Sequence, residues 1–179
     1  KGTQSEGLLF QASSEQREPP PPSSLRYTST RTGAQTRRTG TVSRTGVLCQ
    51  VNENTVWWTS RRQSSVAVSS CEAEYMALFE GAKDTVWLRN LLREFDYCQG
   101  HNPAPIFHDN QRSITWSRED KFRKVKHIDL RFHYAHDLIK TGQIDVQYVP
   151  SNENLADSLT KALSGMHFSA NKQQLGVRN

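Results

Sequence analysis

From residue 47 onward, short β-rich runs alternate with longer segments of helical periodicity, and this alternation constrains the fold more than any other feature. Residues 47–51 and 55–59 flank a polar turn and predict a hairpin. The order of the segments is typical of a mixed α/β layer fold in which the later strands run parallel. These later segments predict a helix over 72–95, a strand over 104–108, helices over 111–117 and 128–140, a strand over 143–149 and a last helix that Ser151 caps.

The first 45 residues have a different character. Residues 19–22 are four consecutive prolines, which lack amide donors and favour an extended chain. We therefore expect residues 1–24 to be a disordered Pro-rich tail. Residues 25–45 are rich in Thr, Arg, Ser and Gly and predict at most a loosely paired, degenerate first strand. The folded domain is expected over residues 46–163, and residues 164–179 are expected to be a C-terminal tail.

The composition limits the class of protein. The chain has 179 residues, of which 35% are hydrophobic, and a formal net charge of +5, which is compatible with a polyanionic partner. Three widely spaced cysteines fit reduced intracellular thiols better than a disulfide framework. We find neither a signal-peptide pattern nor an apolar run long enough to cross a membrane, so we expect an intracellular protein without a membrane partner. Because the sequence begins with Lys1 rather than Met, we expect it to be a piece of a longer protein.

Three carboxylates fall where α/β folds place functional sites. Glu74 lies in the first turn of the predicted long helix, Asp109 follows the strand over 104–108, and Asp157 lies near the start of the predicted last helix. Open α/β sheets bind ligands at the carboxyl ends of their strands. Each carboxylate is ordinary by itself, since acidic residues complement the positive end of a helix dipole. The prediction of a site therefore rests on the three together and on the residues around them.

Five short motifs follow one another between Val56 and Leu163. Together they resemble, in order and spacing, the ribonuclease H domain of Ty1/copia-type retrotransposons. The motifs are WTSRRQ at 58–63, SSCEAEYMAL at 69–78, HDNQ at 108–111, KHIDLRFH at 126–133, and YVP at 148–150 followed by NLADSLTK at 154–161.

The resemblance implies a ribonuclease H-like α/β fold, with a mixed sheet flanked by helices. It also implies hydrolysis of the RNA strand of RNA–DNA hybrids during reverse transcription. The parent would be a Pol polyprotein with a reverse transcriptase domain, located in the cytoplasm, in a retrotransposon particle or in the nucleus. Integrase cores share the general fold, but the ending NLADSLTK and the basic segment KHID do not suit them.

The resemblance further implies which residues carry the chemistry. Two Mg²⁺ ions stabilise the charge that develops on the attacking and leaving oxygens, and Mg²⁺ prefers clustered carboxylate ligands. On the family pattern, the catalytic and metal-binding residues are a first-strand Asp, Glu74, Asp109 and Asp157. A basic run is expected to contact the phosphates of the nucleic acid. Its members are Arg118, Lys121, Arg123, Lys124 and Lys126.

The first-strand Asp of the family pattern is missing here. Alignment on Tyr27 places Ser29 at its position, whereas an ungapped count back from Gly46 places Arg31 there, and the chain has no Asp or Glu between residues 19 and 52. We therefore expect this copy to be inactive or nearly so, with its second Mg²⁺ weakly held. The gap is explained by a decayed or frame-shifted element, by a wrongly assigned exon, or by replacement of the first strand in a truncated chain.

Two other interpretations stay open from the sequence. The rival to a ribonuclease is a non-catalytic nucleic-acid-binding remnant, or a relic of a transposon without any function. Histidine and cysteine pairs also occur, at Cys98 with His101 and at His133 with His136. Neither pair is completed by a second pair at the spacing of a structural zinc site, so these residues predict no such site.

Overall fold

A five-stranded mixed sheet forms the centre of the chain. The computed structural model describes residues 7–8, 28–35, 42–97, 102–119, 129–175 and 177–178. The strands of the sheet are β2 (Thr28–Gln35), β3 (Arg44–Val51), β4 (Asn54–Arg62), β5 (Ala104–His108) and β6 (Ile144–Tyr148). They lie in the order β4-β3-β2-β5-β6; β2, β3 and β4 pair antiparallel, whereas β5 is parallel to β2 and β6 is parallel to β5. The predicted mixed α/β fold with parallel later strands is confirmed.

The predicted hairpin is the pair β3–β4. Asn52 and Glu53 form its two-residue turn, and both have positive φ angles, of 50° and 65°. This backbone geometry matches the twist of antiparallel strands. The two strands extend further than the apolar runs alone indicated, because their polar outer residues also join the ladder.

The long helix α1 (Ser70–Glu94) packs across β2 and β3. It begins at Ser69, whose side chain accepts a hydrogen bond from the Glu72 main-chain N–H and so satisfies one of the free amides at the start of the helix. Its apolar face joins the main core between the sheet and the helix α3 (Asp129–Lys140). Tyr75 and Phe132 stack there with ring centroids 5.7 Å apart, and both are buried.

The other predicted helices differ little from the observed ones. Helix α2 (Gln111–Arg118) begins at Asn110, whose side chain accepts a hydrogen bond from the Ser113 main-chain N–H. Helix α3 is followed by Gly142, whose φ angle of 67° is the left-handed conformation that commonly ends a helix.

The last predicted helix, capped by Ser151 and containing Leu155, Leu159 and Leu163, is wrong. Two short 3₁₀ helices, Ser151–Glu153 and Leu155–Leu159, replace it, and the side chain of Asn154 caps the second one. Asn154 is buried, and its Nδ2 donates to the main-chain oxygen of Thr32 over 2.9 Å. This hydrogen bond to β2 holds the segment in the observed conformation, so it does not form the α-helix that the spacing of its leucines predicts.

Two predictions about the ends of the domain also change. The region predicted as a degenerate strand contains β2, which is the middle strand of the sheet and pairs with neighbours on both sides. The predicted C-terminal tail contains the helix α4 (Gly165–Gln174), and a two-residue strand β7 (Val177–Arg178) pairs with β1 (Gly7–Leu8). Apart from β1, the predicted disordered tail of residues 1–24 lies outside the described residues.

Within the described part of the chain, none of the helices is long and apolar enough to span a membrane.

Candidate active site

Glu74 reaches the sheet from the beginning of α1. Its Oε2 accepts a hydrogen bond from the main-chain N–H of Ala34 on β2, over 2.9 Å. The contact exists because α1 crosses β2 at this level. A carboxylate from the helix is thereby held against the middle strand.

Asp109 lies directly after the carboxyl end of β5, the neighbour of β2. Its Oδ2 accepts a hydrogen bond from Ser151 Oγ over 2.7 Å, and its Oδ1 is buried without a hydrogen-bond partner among the described residues. A buried carboxylate oxygen without a partner is costly. This atom therefore has the properties of a metal ligand, and the position is the ligand-binding end of a parallel strand pair.

His108, which the sequence analysis did not select, lies beside these two carboxylates. Its ring is buried, and its Nδ1 lies 2.9 Å from Thr32 Oγ1 and 3.3 Å from the Thr32 main-chain oxygen. Its Nε2 lies 3.9 Å from Glu74 Oε2. One ligand atom from each of Glu74, His108 and Asp109 lies within 4.8 Å of the others. The only signal in the sequence was the adjacency of His108 to Asp109.

Asp157 enters the site from the second 3₁₀ helix. Its carboxylate is buried, and its Oδ2 lies 2.5 Å from Lys161 Nζ, four residues later. The segment approaches the sheet closely at Gly46 of β3, where a Cβ atom would lie 2.8 Å from the main-chain oxygen of Ala156. A residue without a side chain at position 46 is therefore what lets Asp157 reach the sheet.

Gly33 is the residue of β2 that faces Asp157. A Cβ atom built at Gly33 would lie 3.4 Å from Asp157 Oδ1 and 3.4 Å from Asn154 Nδ2, which is ordinary van der Waals contact. The sequence alignment predicted the missing Asp at Ser29 or Arg31, and the structure places these residues further back along β2, where Arg31 pairs with Phe107. Gly33 is therefore a third candidate for the position of the missing acid, chosen by its distance from Asp157.

The chain is similar in sequence to parts of much longer polyproteins, although no protein-family model matches it. It is 32% identical over 138 residues to the retrovirus-related Pol polyprotein from transposon TNT 1-94 of Nicotiana tabacum, covering 76% of this chain and 10% of that protein. It is 31% identical over 137 residues to the Pol polyprotein from transposon RE2 of Arabidopsis thaliana, covering 76% and 9%. The chain thus spans about a tenth of the length of these curated relatives.

The fold is that of solved ribonucleases H. LC11-RNase H1, isolated from compost, superimposes with a TM-score of 0.58 at 17% identity, over 76% of this chain and 94% of that one. The chain is a ribonuclease H-like domain related to copia-type Pol polyproteins. A second structure of LC11-RNase H1, in complex with an RNA/DNA hybrid, superimposes with a TM-score of 0.55 at 18% identity, over 74% and 92% of the two chains.

Burial dominates the protonation of this ribonuclease H-like site. It raises the pKa of Glu74 to about 8, and the negative charge of Asp109 adds to the shift. Burial also raises the pKa of Asp157, against the opposing effect of the Lys161 ammonium. It lowers the pKa of His108 to about 4, so this imidazole is neutral near pH 7. The clustered carboxylates thus repel one another, as expected where a cation is needed.

The basic run of the ribonuclease H-like domain is described only at Arg118. Its guanidinium donates to the main-chain oxygen of Val146 over 2.6 Å and lies 3.5 Å from Asp145 Oδ1. These contacts hold Arg118 against the edge strand β6. The other predicted phosphate contacts lie outside the described residues; they are Lys121, Arg123, Lys124 and Lys126.

Proposed function

We propose that this domain binds RNA–DNA hybrids but cleaves their RNA strand very weakly. The observation that supports this is Gly33, which faces the buried carboxylate of Asp157 from the middle strand and carries no side chain. The fold and the relationship to Pol polyproteins support the class of substrate, and a solved neighbour, LC11-RNase H1, has been captured with such a hybrid. In the full polyprotein, the domain would act beside a reverse transcriptase domain on hybrids made during reverse transcription.

Three carboxylates remain to hold Mg²⁺, namely Glu74, Asp109 and Asp157. The unpartnered Oδ1 of Asp109 and the all-oxygen set fit this hard cation. When bound, Mg²⁺ supplies positive charge to the attacking and leaving oxygens of the phosphodiester. Position 33 carries no acid, and the carboxylate of Asp157 is paired with the Lys161 ammonium. The domain therefore keeps the first part of a two-ion site and has lost a ligand of the second.

The test is to introduce a carboxylate at position 33, which faces Asp157. We expect Gly33→Asp to raise Mg²⁺-dependent cleavage of a labelled RNA–DNA hybrid by at least about a hundredfold, because a metal ligand contributes several kcal/mol to transition-state stabilisation. The Cβ of the new residue fits without displacing a neighbour. Gly33→Asn gives a side chain of the same shape without the charge and should restore nothing.

A matched control adds the same acid elsewhere. At Gly165, a side chain would meet open space, so Gly165→Asp should leave cleavage at the original level. Efficient cleavage by the unmodified chain, abolished by Asp109→Asn, would contradict the proposal. If Gly33→Asp binds the hybrid with salt-dependent affinity but still does not cleave it, the domain is a nucleic-acid-binding remnant.

A further inference from the structure

We propose that Glu74, His108 and Asp109 form a site for one borderline transition-metal ion of the Zn²⁺ class, in which His108 Nε2 is the nitrogen ligand. The inference shares two carboxylates with the proposed function and identifies the metal that this altered site prefers. It does not require that the domain cleave a hybrid.

The evidence that points to a ligand is the unused nitrogen of a buried ring. His108 has no exposed surface, and its Nε2 has no hydrogen-bond partner among the described residues. The nearest acid oxygen, Glu74 Oε2, lies 3.9 Å away, which is too far for a hydrogen bond. Because buried polar atoms are normally satisfied, this nitrogen calls for a partner that the described residues do not supply.

The other ring nitrogen has partners of its own. His108 Nδ1 lies 2.9 Å from Thr32 Oγ1, which can donate or accept, and 3.3 Å from the Thr32 main-chain oxygen, which can only accept. When Nδ1 donates to that oxygen, Nε2 is the unprotonated nitrogen, and it lies within reach of both carboxylates. Metal-bound histidines are oriented in the same way, with the second ring nitrogen donating to a backbone carbonyl.

The two carboxylates are also held in place by hydrogen bonds. Asp109 Oδ2 accepts a hydrogen bond from Ser151, while Asp109 Oδ1 has no partner among the described residues. Glu74 is oriented by the hydrogen bond that it accepts from the Ala34 main-chain N–H. The three ligand atoms lie within 4.8 Å of one another. Ligand atoms that bind a single Zn²⁺ at about 2.1 Å lie roughly 3–4 Å from one another. Small side-chain rotations that move each ligand atom by about an ångström would therefore bring the three atoms to binding distance. Two carboxylates and one neutral imidazole also balance the charge of a divalent ion.

The nitrogen ligand decides which metal is preferred. Mg²⁺ takes oxygen ligands almost exclusively, whereas Zn²⁺ binds imidazole and carboxylate together. Asp157 is engaged by Lys161 over 2.5 Å, so the three-ligand set is complete without it. The site should therefore bind one Zn²⁺ more tightly than it binds Mg²⁺.

The first experiment titrates the full chain with Zn²⁺ and with Mg²⁺ against a chromogenic chelator at one fixed pH. We expect His108→Ala to weaken Zn²⁺ binding by about tenfold or more and to leave Mg²⁺ binding unchanged. His133→Ala removes an exposed imidazole outside the cluster and is the matched control, with no expected change. Equal Zn²⁺ affinity in folded His108→Ala and in the unmodified chain would overturn the proposal.

A second variant covers the case in which His108→Ala does not fold. His108→Cys keeps a polar atom at the site and, with Co²⁺ in place of Zn²⁺, should give a thiolate-to-cobalt charge-transfer band in the near ultraviolet. The unmodified chain, which contains Cys49, Cys71 and Cys98, should lack that band. Absence of the band in Co²⁺-treated His108→Cys would show that position 108 does not reach the metal.

The two proposals can fail separately. A chain that binds hybrid but shows no selectivity for Zn²⁺ refutes the metal site and leaves the proposed function standing. A chain that binds Zn²⁺ through His108 but does not bind hybrid refutes the function and leaves the metal site.

Discussion

The two halves of the site differ in how their polar atoms are used. On one side, Glu74, His108 and Asp109 meet at the carboxyl end of β5, where His108 Nε2 and Asp109 Oδ1 are buried and have no hydrogen-bond partner in the described part of the chain. On the other side, Asp157 is paired with Lys161, and Gly33 offers no side chain. The first half retains the capacity to bind a cation, whereas the second half has its charge already compensated. On the proposed function, the missing acid at position 33 therefore affects the second half more than the first.

The largest effect on hybrid cleavage should come from removing the acid of Asp109 after an acid has been introduced at position 33. In a Gly33→Asp background, we expect Asp109→Asn to reduce Mg²⁺-dependent hybrid cleavage by about a thousandfold, because the shared metal loses a ligand. The same substitution in the unmodified chain should change the residual rate little. The measurement is the initial rate of cleavage in both backgrounds. Equal losses in the two backgrounds would show that Asp109 does not act together with position 33.

A smaller effect, on the stability of the fold, is expected where the segment that carries Asp157 contacts β3. Gly46→Ala places a Cβ atom 2.8 Å from a main-chain oxygen of the 3₁₀ segment, so we expect about 1–3 kcal/mol of destabilisation from overpacking. Urea denaturation measures it. Gly165→Ala, where a Cβ meets open space, is the control and should not destabilise the protein. A neutral Gly46→Ala would mean that the segment carrying Asp157 moves freely away from β3.

Asn154→Ala should be slightly less severe. The side chain caps the second 3₁₀ helix through the Ala156 N–H and also bonds to the Thr32 main-chain oxygen. We expect about 1–2 kcal/mol of lost stability, the usual range for a cap. Asn152→Ala, on the exposed side of the same segment, serves as the control. If both substitutions had equal effects on the urea midpoint, the tie between β2 and this segment would not be stabilising.

The smallest effect concerns the charge beside Asp157. Lys161 is partly exposed, so its ion pair is screened by solvent. In the Gly33→Asp background, we expect Lys161→Met to increase Mg²⁺ affinity by about threefold, because a competing cation is removed. Isothermal titration with Mg²⁺ tests this, with the exposed Lys140→Met as the control. Weaker Mg²⁺ binding in Lys161→Met would indicate that Lys161 positions Asp157 instead of competing with the metal.

Periodicity was sufficient to predict the elements whose own residues determine them. The hairpin β3–β4 follows from two β-rich runs that flank a polar turn, and helix α1 and strand β5 follow from the pattern of their own residues. The leucines at 155, 159 and 163 also fit helical spacing, yet Asn154 holds that segment against β2 in another conformation. Strand β2 was underestimated because main-chain pairing on both sides, and not large apolar residues, keeps it in the sheet.

The site was predictable only in part, for a related reason. The motifs pointed to Glu74, Asp109 and Asp157, whose positions could be read from local patterns. His108 stood out only when the absence of a partner for Nε2 was visible, which is a property of the packed structure. Gly33 was not among the residues that the sequence suggested, because its closeness to Asp157 is a property of the packed structure.

Residues of the site form hydrogen bonds to main-chain groups of β2, and this has a consequence for how such a domain can lose its activity. Glu74 bonds to the Ala34 N–H, and both Asn154 and His108 bond to the Thr32 main-chain oxygen. These anchors are peptide groups, which every residue type other than proline can provide. A single codon change at position 33 can therefore remove an acid while the scaffold around it persists. Catalytic capacity and architecture are encoded separately on this strand, and the first can be lost long before the second.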